Sequence, residues 1–128
     1  MHTRTQAVAA AVNVYVDLTY YADVSRYHES FHKAALIHGL WNGELIAWSL
    51  TEFCDVMRNK PSAASLDSPR DHQILSIDQI ASCLATVKLR VRLGQARYID
   101  HLTLHFTEGK WLITSKAYHI AQILPPGS

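Results

Sequence analysis

Residues 97–119 read RYIDHLTLHFTEGKWLITSKAYH, and this stretch decides the fold. Tyr98, Asp100, Leu102, Leu104 and Phe106 alternate with Arg97, His101, Thr103 and His105. A period of two puts one set on a buried sheet face and the other in water or at an interface. Glu108-Gly109 supplies a turn, and a second strand is expected over 110–120. A hairpin turning there pairs Phe106 with Trp111 and, by counting along it, Tyr98 with His119.

The alternation continues upstream. Over 82–93, Cys83, Ala85, Val87, Leu89 and Val91 alternate with Ser82, Thr86, Lys88, Arg90 and Arg92. Gly94-Gln95 turns that strand into the one over 96–106, and another strand is expected over 72–80. Strands of eleven residues reach about 35 Å and tend to curve.

The first half reads differently. Val8, Ala11, Val12, Tyr15 and Leu18 recur at helical spacing. Asn13 and Asp17 interrupt the apolar run, which predicts an amphipathic helix and not a signal peptide. Tyr20–Ala22 connect it to a second helix, with Asp23 as N-cap and Val24, Tyr27 and Phe31 as its apolar stripe. The runs ALIHGL (35–40) and ELIAWSL (44–50) flank Trp41-Asn42-Gly43, a hairpin signal. Ser49 or Thr51 then caps a third helix that buries Leu50, Phe53, Cys54 and Met57. The Pro- and Ser-rich stretch 59–71 is expected to be an exposed loop.

Composition limits the partners. The 128 residues suit a single domain, with a core over about 6–120 and a tail over 121–128. Twelve basic side chains against eleven acidic ones leave no field to recruit nucleic acid or an anionic membrane. Lys88, Arg90 and Arg92 read as a solvated sheet face. Cys54 and Cys83 lie in apolar surroundings without a CxxC spacing, which predicts buried free thiols and a cytoplasmic setting. No stretch approaches the roughly 20 apolar residues of a membrane-spanning helix.

Two sequence words carry a family resemblance. YHESFHKAALIHG (27–39) resembles the F-H-P-[DE]-A-x-[IVL]-x-G opening of the first strand in the NTF2-like superfamily, with Lys33-Ala34 replacing Pro-Asp. The stretch quoted first is similar to the Y-x-D-x-L-x-L-x-x-x-x-G-x-W-x-I-x-x-K-x-[FY] ending of its lumazine-binding branch. Tyr98, Asp100, Leu102, Leu104, Gly109, Trp111, Ile113, Lys116 and Tyr118 all fall in register, and the resemblance covers roughly 6–120. It implies an α+β cone of the SnoaL and ketosteroid-isomerase kind, with three N-terminal helices packed on a curved antiparallel sheet. It also implies a homodimer formed through the sheet and a ligand pocket between helices and concave face.

HESFH (28–32) also matches the His-Glu-x-x-His zinc signature, with His38 near a third-ligand position. That chemistry needs His28 and His32 on one helix face beside Glu29. Ala35 stands where the extended motif has glycine, and residues 35–40 read as a strand that carries His38 away. No metal site and no cofactor are expected. The ketosteroid-isomerase machinery is incomplete as well. An ungapped match puts its tyrosine on Tyr15, its base on Gly39 and its oxyanion aspartate on or near Leu102.

Two readings follow. The first is a binding domain for a small apolar or heterocyclic ligand, with Trp48, Phe53, Met57, Tyr98 and Leu102 lining the pocket. The second is a cofactor-independent isomerase, dehydratase or hydrolase in which Asp100 orients His119 with Tyr15 nearby. A third use, protein–protein contact, would draw on the outer face of Leu84, Ile99, His101, Thr103 and His105.

Overall fold

Helix α1 (Arg4–Tyr21) leads the computed structural model, which describes residues 4–128. Val8, Val12, Tyr15, Val16 and Thr19 recur every three or four residues and are all buried, so the helix seals one side of the core. Its end is closed by two hydrogen bonds, from the Ala22 N–H to Thr19 O and from the Asp23 N–H to Leu18 O. This closure holds Ala22 at φ 50°, a left-handed conformation that glycine usually fills.

The second helix is shorter than expected. Val24–Glu29 forms a 3₁₀ turn, and the Asp23 side chain does not cap it. Val24 and Tyr27 face the core side, but Phe31 has already left the turn and opens strand β1 (Phe31–Trp41). The cause is competition for the backbone. Ser30 closes the turn onto Tyr27 O, and the Ile113 N–H takes Ser30 O at 2.8 Å, drawing the chain into the sheet.

Asn42 and Gly43, at φ 51° and 80°, make the tight turn into β2 (Glu44–Ser49). Ser49 then caps α2 (Leu50–Arg58) through a capping box with Glu52, and Phe53 becomes its buried anchor. The remaining strands are β3 (His72–Ala81), β4 (Leu84–Leu93), β5 (Ala96–Thr107) and β6 (Lys110–Ile123). They form one six-stranded sheet in the order β2-β1-β6-β5-β4-β3.

Several expectations need correction. The helical elements are one long helix, a 3₁₀ turn and a helix that follows the first hairpin, not three N-terminal helices. The sheet is mixed, because β1 runs parallel to β6 while every other pairing is antiparallel. Ser82 and Cys83 form the β3–β4 turn, leaving Cys83 exposed and Cys54 half-buried, both free. Arg92 is buried, donating to Gly94 O at 3.0 Å and Ser128 O at 2.6 Å, whereas Lys88 and Arg90 are exposed as expected.

The inner sheet face carries Ala85, Val87, Leu89, Val91, Leu102, Leu104 and Ile113 against α1 and α2. Register shifts interrupt the pairings of β1 with β6, β3 with β4 and β5 with β6. Such irregularities bend a sheet and increase its twist, and here they curl it around the helices.

Candidate functional site

An aromatic series crosses the open end of the cone. The Phe53 and Trp48 rings lie 6.2 Å apart, Trp48 and Tyr118 6.4 Å, and Tyr118 and Tyr98 6.1 Å. These rings form part of the wall of a cavity of about 650 Å³, a size that suits a small organic ligand. Exposed Trp41, Leu66 and Ile123 mark its mouth, while buried Asp100 and Lys116 lie at its base.

Of the expected pocket residues, Trp48, Phe53, Met57 and Tyr98 line the cavity. Leu102 does not. It is fully buried, paired with Lys116 on one side and Val87 on the other, and so belongs to the core behind the base. The loop 59–71 is less exposed than expected. Ala63 and Ser68 are buried, and the Tyr20 carbonyl and hydroxyl bind the Ala64 N–H and Ser68 O. Its residues Lys60, Pro61, Ser62 and Leu66 form a wall that sequence reasoning missed.

Tyr15 and Asp100 come together as expected. The Tyr15 hydroxyl donates to Asp100 Oδ2 at 2.6 Å, and both residues are 1% exposed. Burial, reinforced by the Asp100 charge, pushes the Tyr15 hydroxyl well above the ordinary tyrosine range, so it remains a donor. Asp100 lines the cavity and Tyr15 sits behind it, packed edge-on against Phe31 at 5.6 Å.

His119 does not join them. Phe106 pairs with Trp111 and Leu104 with Ile113, as counting from the turn requires. Thr103 then pairs with Ser115, which leaves Thr114 as an extra residue in β6. From Thr103 back to Tyr98 every pairing moves by one. Asp100 faces Tyr118, and His119 pairs with Ile99 on the outer face, where it is exposed.

Lys116 enters instead. It is 6% exposed, and its Nζ lies 4.7 Å from the Phe53 ring centroid and 5.2 Å from that of Tyr15. Burial lowers its basicity; the charge of Asp100 opposes that shift and Lys60 adds to it.

The position matched to the isomerase base is filled by a ring. A Cβ on Gly39 would lie 2.2 Å from Tyr118 Cζ, so the side chain of Tyr118 occupies the space above the glycine. The zinc spacing finds no helix to sit on. His28 belongs to the 3₁₀ turn and His32 to β1, where it approaches Glu108 at 3.9 Å. Glu29 is held by Arg26 at 2.7 Å. Among the described residues no three His, Cys, Asp or Glu side chains converge on a common point.

Known proteins agree with this architecture. Aldolase FrzH of a Cladobotryum species is 29% identical over 118 residues, spanning 88% of each chain. An NTF2-like protein of Silicibacter pomeroyi superposes with a TM-score of 0.81 at 25% identity, covering 93% of this chain and 99% of that one. One from Shewanella baltica gives 0.80 at 25% identity, covering 95% and 99%. A ketosteroid isomerase-like protein of Erwinia carotovora shares the fold at 12% identity, with a TM-score of 0.75 and coverage of 95% and 99%. The profile of the family described as "Putative lumazine-binding" matches residues 3–119. Its match over nearly the whole chain, on a cone of this topology, makes the protein a member of that family within the NTF2-like superfamily.

Proposed function

We propose that the domain binds a small, flat, largely apolar molecule in this cavity, with the ligand's polar group directed at Asp100 and Lys116. The cavity carries this reading, because its rings offer planar contact while two buried charged side chains lie at its base. The test is a fluorescence titration with lumazine and other flat heterocycles. Binding should change the tryptophan emission, and Trp48→Phe should remove most of the change. Emission that no member of the series alters would sink the proposal.

A second reading, acid–base catalysis on a bound carbonyl compound, draws support from the buried Tyr15–Asp100 pair and from the aldolase relative. Here Asp100 is the base and Tyr15 holds it in place; His119 has no part. Asp100→Asn should then abolish any turnover found while leaving ligand binding within a few-fold. The same proposal takes the outer face of Ile99, Thr103, His101 and His105 as a homodimer surface, which light scattering would test. The free thiols Cys54 and Cys83 fit a cytoplasmic setting. No helix among the described residues is long and apolar enough to cross a membrane.

A further inference from the structure

An amine enclosed by aromatic rings and facing a ligand-sized cavity is an unusual thing to bury. Lys116 is 6% exposed, yet among the described residues it enters no ion pair. Asp100, two pairings along β5, is bonded to the Tyr15 hydroxyl and not to the lysine. A structural lysine would normally reach a carboxylate or extend its ammonium into water. Lys116 reaches no carboxylate; it lines the cavity, and its Nζ lies within 6.0 Å of the Phe53, Tyr15 and Tyr118 ring centroids.

We infer that Lys116 is a covalent catalytic residue whose amine forms a Schiff base with a small aldehyde or ketone held in the cavity. The inference rests on the pocket reading above and names the ligand class, a carbonyl compound. Nζ attacks the carbonyl carbon, a C–N bond forms, and the C–O π bond opens to a carbinolamine. Both amine hydrogens leave with the oxygen as water, giving an imine that takes up a proton to become an iminium. The iminium acidifies the carbon next to the former carbonyl, and the Asp100 carboxylate at the cavity base accepts that proton. The resulting enamine is a carbon nucleophile for a second carbonyl compound, and water then releases the product from Lys116. No oxidant or reductant is consumed. The lowered basicity of Lys116 serves the first step, since a desolvated lysine keeps more of its amine neutral.

The test uses the whole chain with benzaldehyde and sodium borohydride at neutral pH, followed by intact mass and peptide mapping. A single benzyl adduct on Lys116 is expected, absent from Lys116→Met and retained in Lys88→Arg, an exposed lysine of β4 away from the cavity. Saturation-transfer NMR with unreactive benzyl alcohol monitors occupancy in parallel. Transfer without a Lys116 adduct overturns the Schiff-base inference and leaves the pocket standing. Neither transfer nor adduct overturns both. Adducts spread evenly over surface lysines also refute it. The wild-type map decides the question even if Lys116→Met folds poorly.

Discussion

Tyr15→Phe isolates the most deeply buried polar contact of the site. It deletes one hydroxyl and changes little volume, so the cost falls on Asp100. The pair is 2.6 Å long and both partners are 1% exposed, so water cannot readily replace the lost donor. A hydrogen bond to a charged group contributes about 1.5–3 kcal/mol, and a buried acceptor left alone costs a similar amount, so about 2–3 kcal/mol is expected. At about 2.1 cal/mol/K per residue, a 128-residue domain unfolds with an entropy near 0.27 kcal/mol/K. The melting temperature should therefore fall by about 7–11 °C.

The assay is urea and thermal unfolding of four proteins: parent, Tyr15→Phe, Asp100→Leu and the double variant. Removing both partners leaves no orphaned carboxylate, so the double variant should be more stable than the sum of the single losses predicts. A coupling of about 1 kcal/mol or more is expected. Additive losses, or a Tyr15→Phe protein within about 0.5 kcal/mol of the parent, would refute the claim that this bond holds Asp100 in place.

Three further outcomes follow from named features. Gly39→Ala should cost about 1–3 kcal/mol and weaken ligand binding, because Tyr118 must leave its place above the glycine; adding Tyr118→Ala should recover much of the stability in the same urea assay. Ala22→Gly should stabilise by about 0.5–1 kcal/mol, since it relieves a left-handed alanine at the end of α1; unchanged or lower stability in urea would contradict that cap. Lys116 is lowered from 10.5 on folding, so the unfolded chain binds more protons just below that pH and stability should rise across the window, a rise absent from Lys116→Met. Above pH 10 the sign reverses, because buried Tyr15 and Tyr98 stay protonated in the fold while the unfolded chain ionises; urea midpoints from pH 8 to 11 would show both slopes.

What the sequence revealed was whatever a short-range rule governs. Asn42-Gly43 announced the β1–β2 turn because both positions need positive φ. Ser49 and Glu52 announced the start of α2 because their spacing closes two backbone hydrogen bonds at once. Period-two alternation placed Asp100 on the inner face, and helical spacing placed Tyr15 opposite it. What stayed hidden depended on contacts distant in sequence. Ile113 takes Ser30 O and ends the second helix early, a pull from 83 residues away that no local propensity records. The loop 59–71 looked solvated by composition, yet hydrogen bonds to Tyr20 hold it as a cavity wall.

Thr114 shows how one such irregularity decides the chemistry. Without it, the turn at Glu108-Gly109 would set Leu102 opposite Ser115, Asp100 opposite Ala117 and Tyr98 opposite His119. The cavity base would then hold two small side chains and a histidine, an acid–base site of the ordinary kind. The inserted residue has its own support, with Thr114 Oγ1 2.7 Å from His105 Nδ1 and 3.4 Å from the Thr103 carbonyl. Past it, Lys116, Tyr118 and Ile120 turn inward and His119 turns out. The same shift brings Tyr118 over Gly39. The glycine beneath Tyr118 and the buried amine of Lys116 are therefore linked, both set by the register of β6. On the Schiff-base proposal, that register places a lysine on β6, and not a carboxylate on β1, at the cavity base.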